Sequence, residues 1–134
     1  MFLATEEQRK TKTIYDAYGK GNIKLNSYVL GSTIYVTGWY EDKVRRTDGT
    51  TNGFLIEPSV QKKVGSSWQT VETRRGADFW ATRPSPVKIG FYNYGRYGNS
   101  LRITAKITPA RIRTNGTIAW QGPSTYYNMS AFTM

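Results

Sequence analysis

The clearest structural signal in this chain is the segment SLRITAKI, residues 100–107. Every second position is apolar, namely Leu101, Ile103, Ala105 and Ile107, and the positions between them are polar. Because successive side chains of a strand point to opposite faces, this pattern sets one face against a core and leaves the other in water. The segment therefore predicts one strand of an antiparallel sheet.

The same period-two pattern recurs earlier in the chain. It predicts strands over residues 23–29 and 33–40, because alternation of this kind is typical of a half-buried strand. In the second of these strands Ile34 and Val36 face the core, and Tyr35 faces outward. Both segments are therefore expected in sheets with one buried face.

Glycine and proline mark the expected breaks between strands. Residues 41–53 are polar and contain the turn signals Asp48-Gly49 and Asn52-Gly53, so they predict a loop. Pro58 interrupts the apolar pattern of residues 54–64, which predicts a kink or an edge position there, since proline cannot donate to a strand ladder.

Two hairpins are predicted in the remainder of the chain. One joins residues 54–64 to residues 68–73 through a short loop containing Gly65. The other joins residues 111–114 to residues 117–120 through Asn115-Gly116, a dipeptide that favours a type I′ turn. Two further short strands are expected over residues 87–92 and 125–129.

Together these segments predict an all-β fold. Seven or eight short strands at regular spacing indicate a single-domain antiparallel β-sandwich over residues 13–134, and an OB-like open barrel is the alternative. The polar and charged residues 1–12 predict an N-terminal arm or a short helical start. A chain of 134 residues is long enough to bury a core without covalent staples.

Charge is distributed unevenly along the chain. The net charge is +10, and no acidic side chain follows Asp78, whereas seven basic ones do. The first 78 residues hold 12 basic and 9 acidic side chains, so they are close to balanced. A basic, aromatic half of this kind favours an anionic partner.

The composition also excludes common catalytic chemistry. The chain has neither His nor Cys, which removes Ser-His and Cys-His pairs and the usual zinc ligands. Glu57 and Glu72 are more simply residues of a solvated sheet face than a catalytic pair. No glycine-rich phosphate loop is present. We therefore expect a non-enzymatic protein without a metal or cofactor.

Four basic side chains lie on two of the last predicted strands. Arg102 and Lys106 share the wet face of the strand over residues 100–107, and Arg111 and Arg113 share one face of the following hairpin. If the two strands are neighbours, the four cations line one side of a sheet and form a polyanion-binding face. The alternative is a charged sheet edge protected from self-association.

An aromatic loop is expected beside these cations. Residues 91–97 hold four aromatic rings, and we select Tyr92, Tyr94, Arg96 and Tyr97 as candidate ligand contacts. Displayed rings of this kind stack on sugars or bases, or insert into a lipid interface. The alternative is a turn whose rings fold back over the end of the sandwich.

The order of several segments resembles that of small exported β-sandwich proteins of Gram-positive bacteria. The matching segments are residues 34–38, 60–71, 100–106 and 122–127, and the resemblance as a whole covers roughly residues 23–128. The closing Ser-Thr-Tyr-Tyr-Asn and the cationic composition are also similar to those of lactococcin 972-type bacteriocins. This resemblance implies an exported, non-catalytic sandwich, and it implies no site residues.

Met1-Phe2-Leu3-Ala4 is too short for a signal-peptide core, so the protein is either cytosolic or secreted with its leader removed. Because the resemblance implies export, we expect the secreted form. The expected partner is an anionic envelope surface such as teichoic acid, anionic lipid or a charged glycan, and an antimicrobial or toxin role is one version of this function. The alternatives are a nucleic-acid-binding module and a structural protein of a phage or particle. No apolar run is long enough to cross a bilayer, and the oligomeric state stays open.

Overall fold

The computed structural model describes residues 5–18, 20–42, 47–75, 77–80 and 86–134. Within them the chain forms eleven strands, all paired antiparallel, rather than the seven or eight expected. They are β1 (Glu6–Asp16), β2 (Gly21–Leu30), β3 (Thr33–Asp42), β4 (Thr51–Val64), β5 (Ser67–Thr73), β6 (Ala77–Trp80), β7 (Val87–Phe91), β8 (Ser100–Ile112), β9 (Ile118–Trp120), β10 (Thr125–Asn128) and β11 (Phe132–Thr133). The strands that were not expected are β1 and the short strands β6 and β11, of four and two residues, which carry too little pattern to be read from sequence.

These strands form two sheets that pack face to face. The smaller sheet has the order β1-β2-β3-β7. The larger sheet follows β10-β8-β4-β5, with β6 paired to β4 and with β9 and β11 paired to β8. The predicted antiparallel β-sandwich is thereby confirmed, and the open barrel is not the architecture of this chain.

The core lies between the sheets and follows the predicted alternation. Leu101, Ile103, Ala105 and Ile107 of β8 are buried, as expected. Each fully buried aliphatic or phenyl side chain contributes about 1.5–3 kcal/mol to the free energy of folding. The largest fully buried apolar side chains are Phe54, Phe91, Ile23, Leu25, Ile34, Ile56, Ile103, Val29, Val36 and Val60.

The prediction of an N-terminal arm over residues 1–12 is wrong for residues 6–12. These residues belong to β1, which pairs with β2 from Glu6↔Leu30 to Asp16↔Gly21 and has a bulge between Glu7 and Lys10. Residues 1–4 lie outside the described part of the chain. The strand forms because β2 offers an edge to pair with, although β1 buries only Ile14 and Asp16.

Strand β4 is continuous through Pro58. It pairs with β8 on one side, and on the other side first with β6 and then with β5. Pro58 falls in the gap between the last β6 pair, Ile56↔Ala77, and the first β5 pair, Ser59↔Thr73. The missing N–H is tolerated because, on the side of β5 and β6, no strand pairs with β4 at Pro58.

Two turn predictions have different outcomes. Asn52-Gly53 lies within β4 and forms no turn, and Asn52 is buried. The β8–β9 hairpin is confirmed, but of its two central residues only Gly116 has a positive φ, of 85°. Its N–H donates to the carbonyl of Arg113 at 2.9 Å, and the Arg113 N–H donates to the carbonyl of Thr117 at 2.8 Å. The loop is therefore a three-residue turn closed by a left-handed glycine, not a type I′ turn.

Candidate binding surfaces

The four predicted cations do not share one face. Strand β8 pairs with β4 over residues 101–112, in an unbroken register from Lys62↔Leu101 to Thr51↔Ile112. Arg102 and Lys106 therefore lie on the outer face of the larger sheet, whereas Arg111, an odd number of residues further on, lies on the opposite face. The expected four-cation face is thus wrong, because residues 111–112 continue the same strand.

Arg111 and Arg113 are part of the β8 terminus. Arg111 lies opposite the buried Asn52, and its Nε atom is itself buried and makes no hydrogen bond within the described part of the chain. Arg113 donates from Nη1 to Thr117 Oγ1 at 3.1 Å, across the hairpin loop. Arg113 therefore supports the hairpin loop, and neither arginine shares the face of Arg102 and Lys106.

The side chain of Arg102 contacts one residue of β4 and one residue of β5. Its Nε donates to Gln61 Oε1 at 2.8 Å, and its guanidinium carbon lies 4.5 Å from the ring centroid of Trp68. Lys63 lies directly opposite Trp68 in the β4–β5 register. The contact between the Arg102 guanidinium and the Trp68 indole is a cation–π interaction. We call Lys63, Trp68 and Arg102 the basic corner.

A groove of about 410 Å³ continues from the basic corner along the same face. We call it the polar groove. Its lining side chains come from four strands and are Glu57, Ser59, Gln61, Thr70, Thr73, Thr104, Lys106, Tyr126 and Asn128. Hydroxyl and amide groups dominate this lining, and they are the groups that bind sugar or polyol hydroxyls.

The polar groove is ordered by contacts between neighbouring strands. The hydroxyls of Ser59 and Thr73 are 2.8 Å apart, and Gln61 Nε2 donates to Thr70 Oγ1 at 3.3 Å. At the far end Lys106 lies between Glu57 of β4 and Tyr126 of β10 in the strand registers. The ring of Tyr126 is 66% exposed, so it is available to a ligand.

The aromatic loop displays two of its three candidate rings. Tyr97 is 84% exposed and Tyr92 is 52% exposed. Tyr94 is instead partly buried against the core and donates to Glu72 Oε1 at 3.0 Å. Burial, and then this hydrogen bond to Glu72, raise the pKa of the Tyr94 phenol. Tyr94 therefore anchors the loop.

Arg96 is also an anchor of this loop. Its guanidinium lies 2.7 Å from Glu7 Oε2 and donates to the carbonyl of Gly31 at 2.9 Å. Glu7 belongs to β1 and Gly31 to the turn after β2, so Arg96 ties the loop to the smaller sheet. The predicted contact role thus fits Tyr92 and Tyr97 better than it fits Tyr94 and Arg96.

Sequence reasoning missed a second surface, on the outer face of the smaller sheet. The rings of Tyr28 and Tyr35 lie 5.5 Å apart. The Arg9 guanidinium lies 5.0 Å from the Tyr28 centroid, and the Lys88 ammonium lies 4.2 Å from the Tyr35 centroid. The signal available in sequence was the outward position of both tyrosines in their alternating strands. We name Arg9, Lys24, Tyr28, Tyr35 and Lys88 the cation–tyrosine face.

A small cavity of about 140 Å³ opens at one end of the sandwich, between the β1–β2 turn and the β9–β10 connection. Asp16, which is 7% exposed, is one of its lining residues. Its two carboxylate oxygens accept hydrogen bonds from the Tyr18 N–H at 3.0 Å and from the Tyr40 hydroxyl at 2.5 Å. This carboxylate therefore holds the turn to the core.

Among the described residues, no group of three His, Cys, Asp or Glu side chains lies close enough together to hold a metal ion. Within the same part of the chain, no helix has the length and apolarity needed to cross a bilayer. Comparisons with protein-family models, curated proteins and solved structures return no match to this chain.

Proposed function

We propose that this protein is exported and binds an anionic polymer of the cell envelope without catalysing a reaction. The ligand class is a polymer that carries both negative charges and hydroxyls, such as a teichoic acid or a charged glycan. The resemblance to small exported sandwich proteins supports export, and the excess of basic residues supports an anionic partner. An antimicrobial role is the more specific version of this proposal.

The observation that carries the proposal is the outer face of the larger sheet. Arg102 on Trp68 stands at one end of this face, and Lys106 beside the exposed Tyr126 stands further along it. The two cations are four residues apart on one strand, which corresponds to roughly 13 Å between their Cα atoms. The hydroxyls and amides of the polar groove fill the space between them.

Glu57 favours a ligand that carries hydroxyls between its negative charges. This carboxylate lies opposite Lys106 in the polar groove, so it repels an anion at that point and accepts hydrogen bonds from hydroxyls. A chain with charge at every position, such as inorganic polyphosphate, suits the groove less well than a chain with hydroxyls between its charges. The proposed ligand therefore alternates anionic and hydroxyl-bearing units.

Isothermal titration with a soluble poly(glycerol phosphate) teichoic acid tests this function. We expect the double variant Arg102→Gln/Lys106→Gln to bind about tenfold more weakly than the unmodified protein, which corresponds to about 1.4 kcal/mol. The charge-matched control is Lys12→Gln/Lys20→Gln, which removes two cations outside the polar groove and should change the affinity much less. Inorganic polyphosphate should bind more weakly than the teichoic acid.

Two results would count against the proposal. Equal losses in both double variants would mean that only net charge matters. Tighter binding of a single-stranded oligonucleotide than of the teichoic acid, lost on Tyr97→Ala, would instead favour the nucleic-acid module, since base stacking on an exposed ring is worth about 1–3 kcal/mol. Circular dichroism of each variant establishes that the fold is retained.

A further inference from the structure

We propose that the outer face of the smaller sheet is a second binding surface, and that it docks on a bilayer containing anionic lipids. This inference goes beyond the polymer-binding function because it uses the opposite side of the sandwich. A protein with both surfaces would hold an envelope polymer against the membrane.

Its first basis is the arrangement of rings and cations on the cation–tyrosine face. Tyr28 and Tyr35 are cross-strand neighbours, and each ring carries its own cation, Arg9 over the first and Lys88 over the second. Tyrosine with lysine or arginine is the combination that settles at a lipid headgroup layer, where the apolar ring and the polar group both find a suitable environment.

The second basis is that the same pattern continues past the edge of the sheet. The Tyr92 hydroxyl lies so close to Gly90 of β7 that a Cβ on Gly90 would come within 2.7 Å of it. The Arg74 guanidinium lies 5.4 Å from the Tyr92 centroid. Three tyrosines, each with a cation over its ring, therefore stand beside one another across the sheet.

The spread of the cations favours a planar partner over a linear one. Arg9, Lys24 and Lys88 come from the three strands β1, β2 and β7, and Lys24 is four residues from Tyr28 along β2. With strands about 4.8 Å apart and a rise of about 3.3 Å per residue, the cations extend for more than about 10 Å in both directions of the sheet. Headgroup phosphates of a bilayer are likewise distributed in two dimensions.

The covered rings argue against nucleic-acid stacking on this face. A base that stacked on Tyr28 or Tyr35 would have to displace the cation already over that ring. A phosphate approaching from outside contacts the cation and leaves the ring in place. Arg9 also pairs with Glu6, but both side chains are substantially exposed, and an exposed pair of this kind contributes little and yields readily to a competing phosphate.

Co-sedimentation with vesicles tests the inference. The intact protein should bind vesicles of phosphatidylcholine mixed with phosphatidylglycerol and should bind pure phosphatidylcholine vesicles far less. Each cation near an anionic surface contributes about fivefold in affinity, so Lys24→Gln/Lys88→Gln should weaken binding roughly 25-fold. Arg102→Gln/Lys106→Gln, which removes the same charge from the opposite side of the sandwich, should weaken it much less.

The inference is overturned if the intact protein does not distinguish the two vesicle types, or if both double variants lose the same amount. It is also overturned if a single-stranded oligonucleotide binds more tightly than the anionic vesicles and this binding depends on Lys24 and Lys88. Teichoic acid binding should survive Lys24→Gln/Lys88→Gln, so a failure of the lipid surface and a failure of the polymer site give different results.

Discussion

The Tyr40 hydroxyl closes one end of the sandwich by donating to Asp16 Oδ2. Tyr40→Phe leaves this buried carboxylate with one donor fewer, so we expect the free energy of unfolding to fall by about 1–3 kcal/mol. Urea denaturation measures the change. Tyr15→Phe removes the hydroxyl of an exposed tyrosine of β1, next to Asp16 in sequence, and is the matched control, expected to change stability by less than about 0.5 kcal/mol. Equal effects of the two variants would contradict the role assigned to the Tyr40–Asp16 contact.

Tyr94 makes stability depend on alkaline pH. Burial and Glu72 raise the pKa of its phenol above the ordinary value of 10.0, so the unfolded chain releases this proton first. The contribution of Tyr94 to stability is then fully present below about pH 10 and is lost as the pH rises through the folded-state pKa. We expect thermal stability to fall more steeply above about pH 10 in the unmodified protein than in Tyr94→Phe. Parallel declines of the two melting temperatures would show that Tyr94 ionisation is not the cause.

The face on which a side chain lies could be predicted from the sequence where it follows from alternation within one strand. Arg102 and Lys106 were placed on the wet face correctly, because each is an even number of residues from the other. Arg111 was misplaced because the strand was expected to end at Ile107 and a new one to begin at Arg111, whereas β8 runs from Ser100 to Ile112 without a break. Tyr94 was misassigned because its partner, Glu72, is 22 residues away and is not implied by any local pattern.

Among the elements, β1 is hydrogen-bonded to the larger sheet through the side chain of Gln8. Gln8 sits at the β1 bulge with a φ of 51°, and its amide both donates to the Thr133 carbonyl and accepts from the Thr133 N–H, the latter at 2.9 Å. Gln8→Ala should therefore release β1 and speed amide hydrogen exchange in residues 6–12, while β2 and β3 keep their protection.

The control for this experiment is Gln69→Ala, which truncates an exposed glutamine of β5. It should leave exchange in β1 unchanged. The expected loss for Gln8→Ala is about 1–2 kcal/mol, since each hydrogen bond contributes about 0.5–1.5 kcal/mol. Unchanged exchange in residues 6–12 would mean that pairing with β2 alone holds the strand.

The same strand shows why some elements escape sequence analysis. Strands β2, β3 and β8 each bury one complete face, so alternation of apolar residues reveals them. Strand β1 is polar on both faces as far as Thr13, because it forms the edge of the smaller sheet. Its existence depends on backbone pairing with β2 and on Gln8, and neither leaves a periodic signal.

For the molecule as a whole, the fit between the two sheets depends on Gly38. A Cβ at this position would lie 3.3 Å from Leu25, 3.5 Å from Ile56 and 3.6 Å from Phe54, which includes residues from both sheets. Gly38→Val should overfill this space and lower the free energy of unfolding by about 1–3 kcal/mol in urea. Thr37→Val changes the adjacent, outward-facing residue and should have little effect. If Gly38→Val left the free energy of unfolding unchanged, the two sheets would be able to move apart at this point without a loss of stability.

Both proposals rest on the two outer faces of the sandwich having different chemistry. The larger sheet presents the basic corner and the polar groove, whereas the smaller sheet presents cations over tyrosine rings. The charge imbalance along the sequence contributes to both, but Arg9 and Lys24 come from the balanced first half. Tertiary structure therefore redistributes the charge, and its final placement could not be derived from the sequence order.

Nuclear magnetic resonance titration with a short poly(glycerol phosphate) fragment tests the central claim, polymer binding on the larger sheet, most directly. We predict that the largest amide shift changes occur in β4, β5, β8 and β10 around Ser59, Gln61 and Thr104, with small changes in β2 and β3. Changes that centre on β2 and β3, or that spread evenly over every basic residue, would contradict the assignment of the polar groove as the binding site.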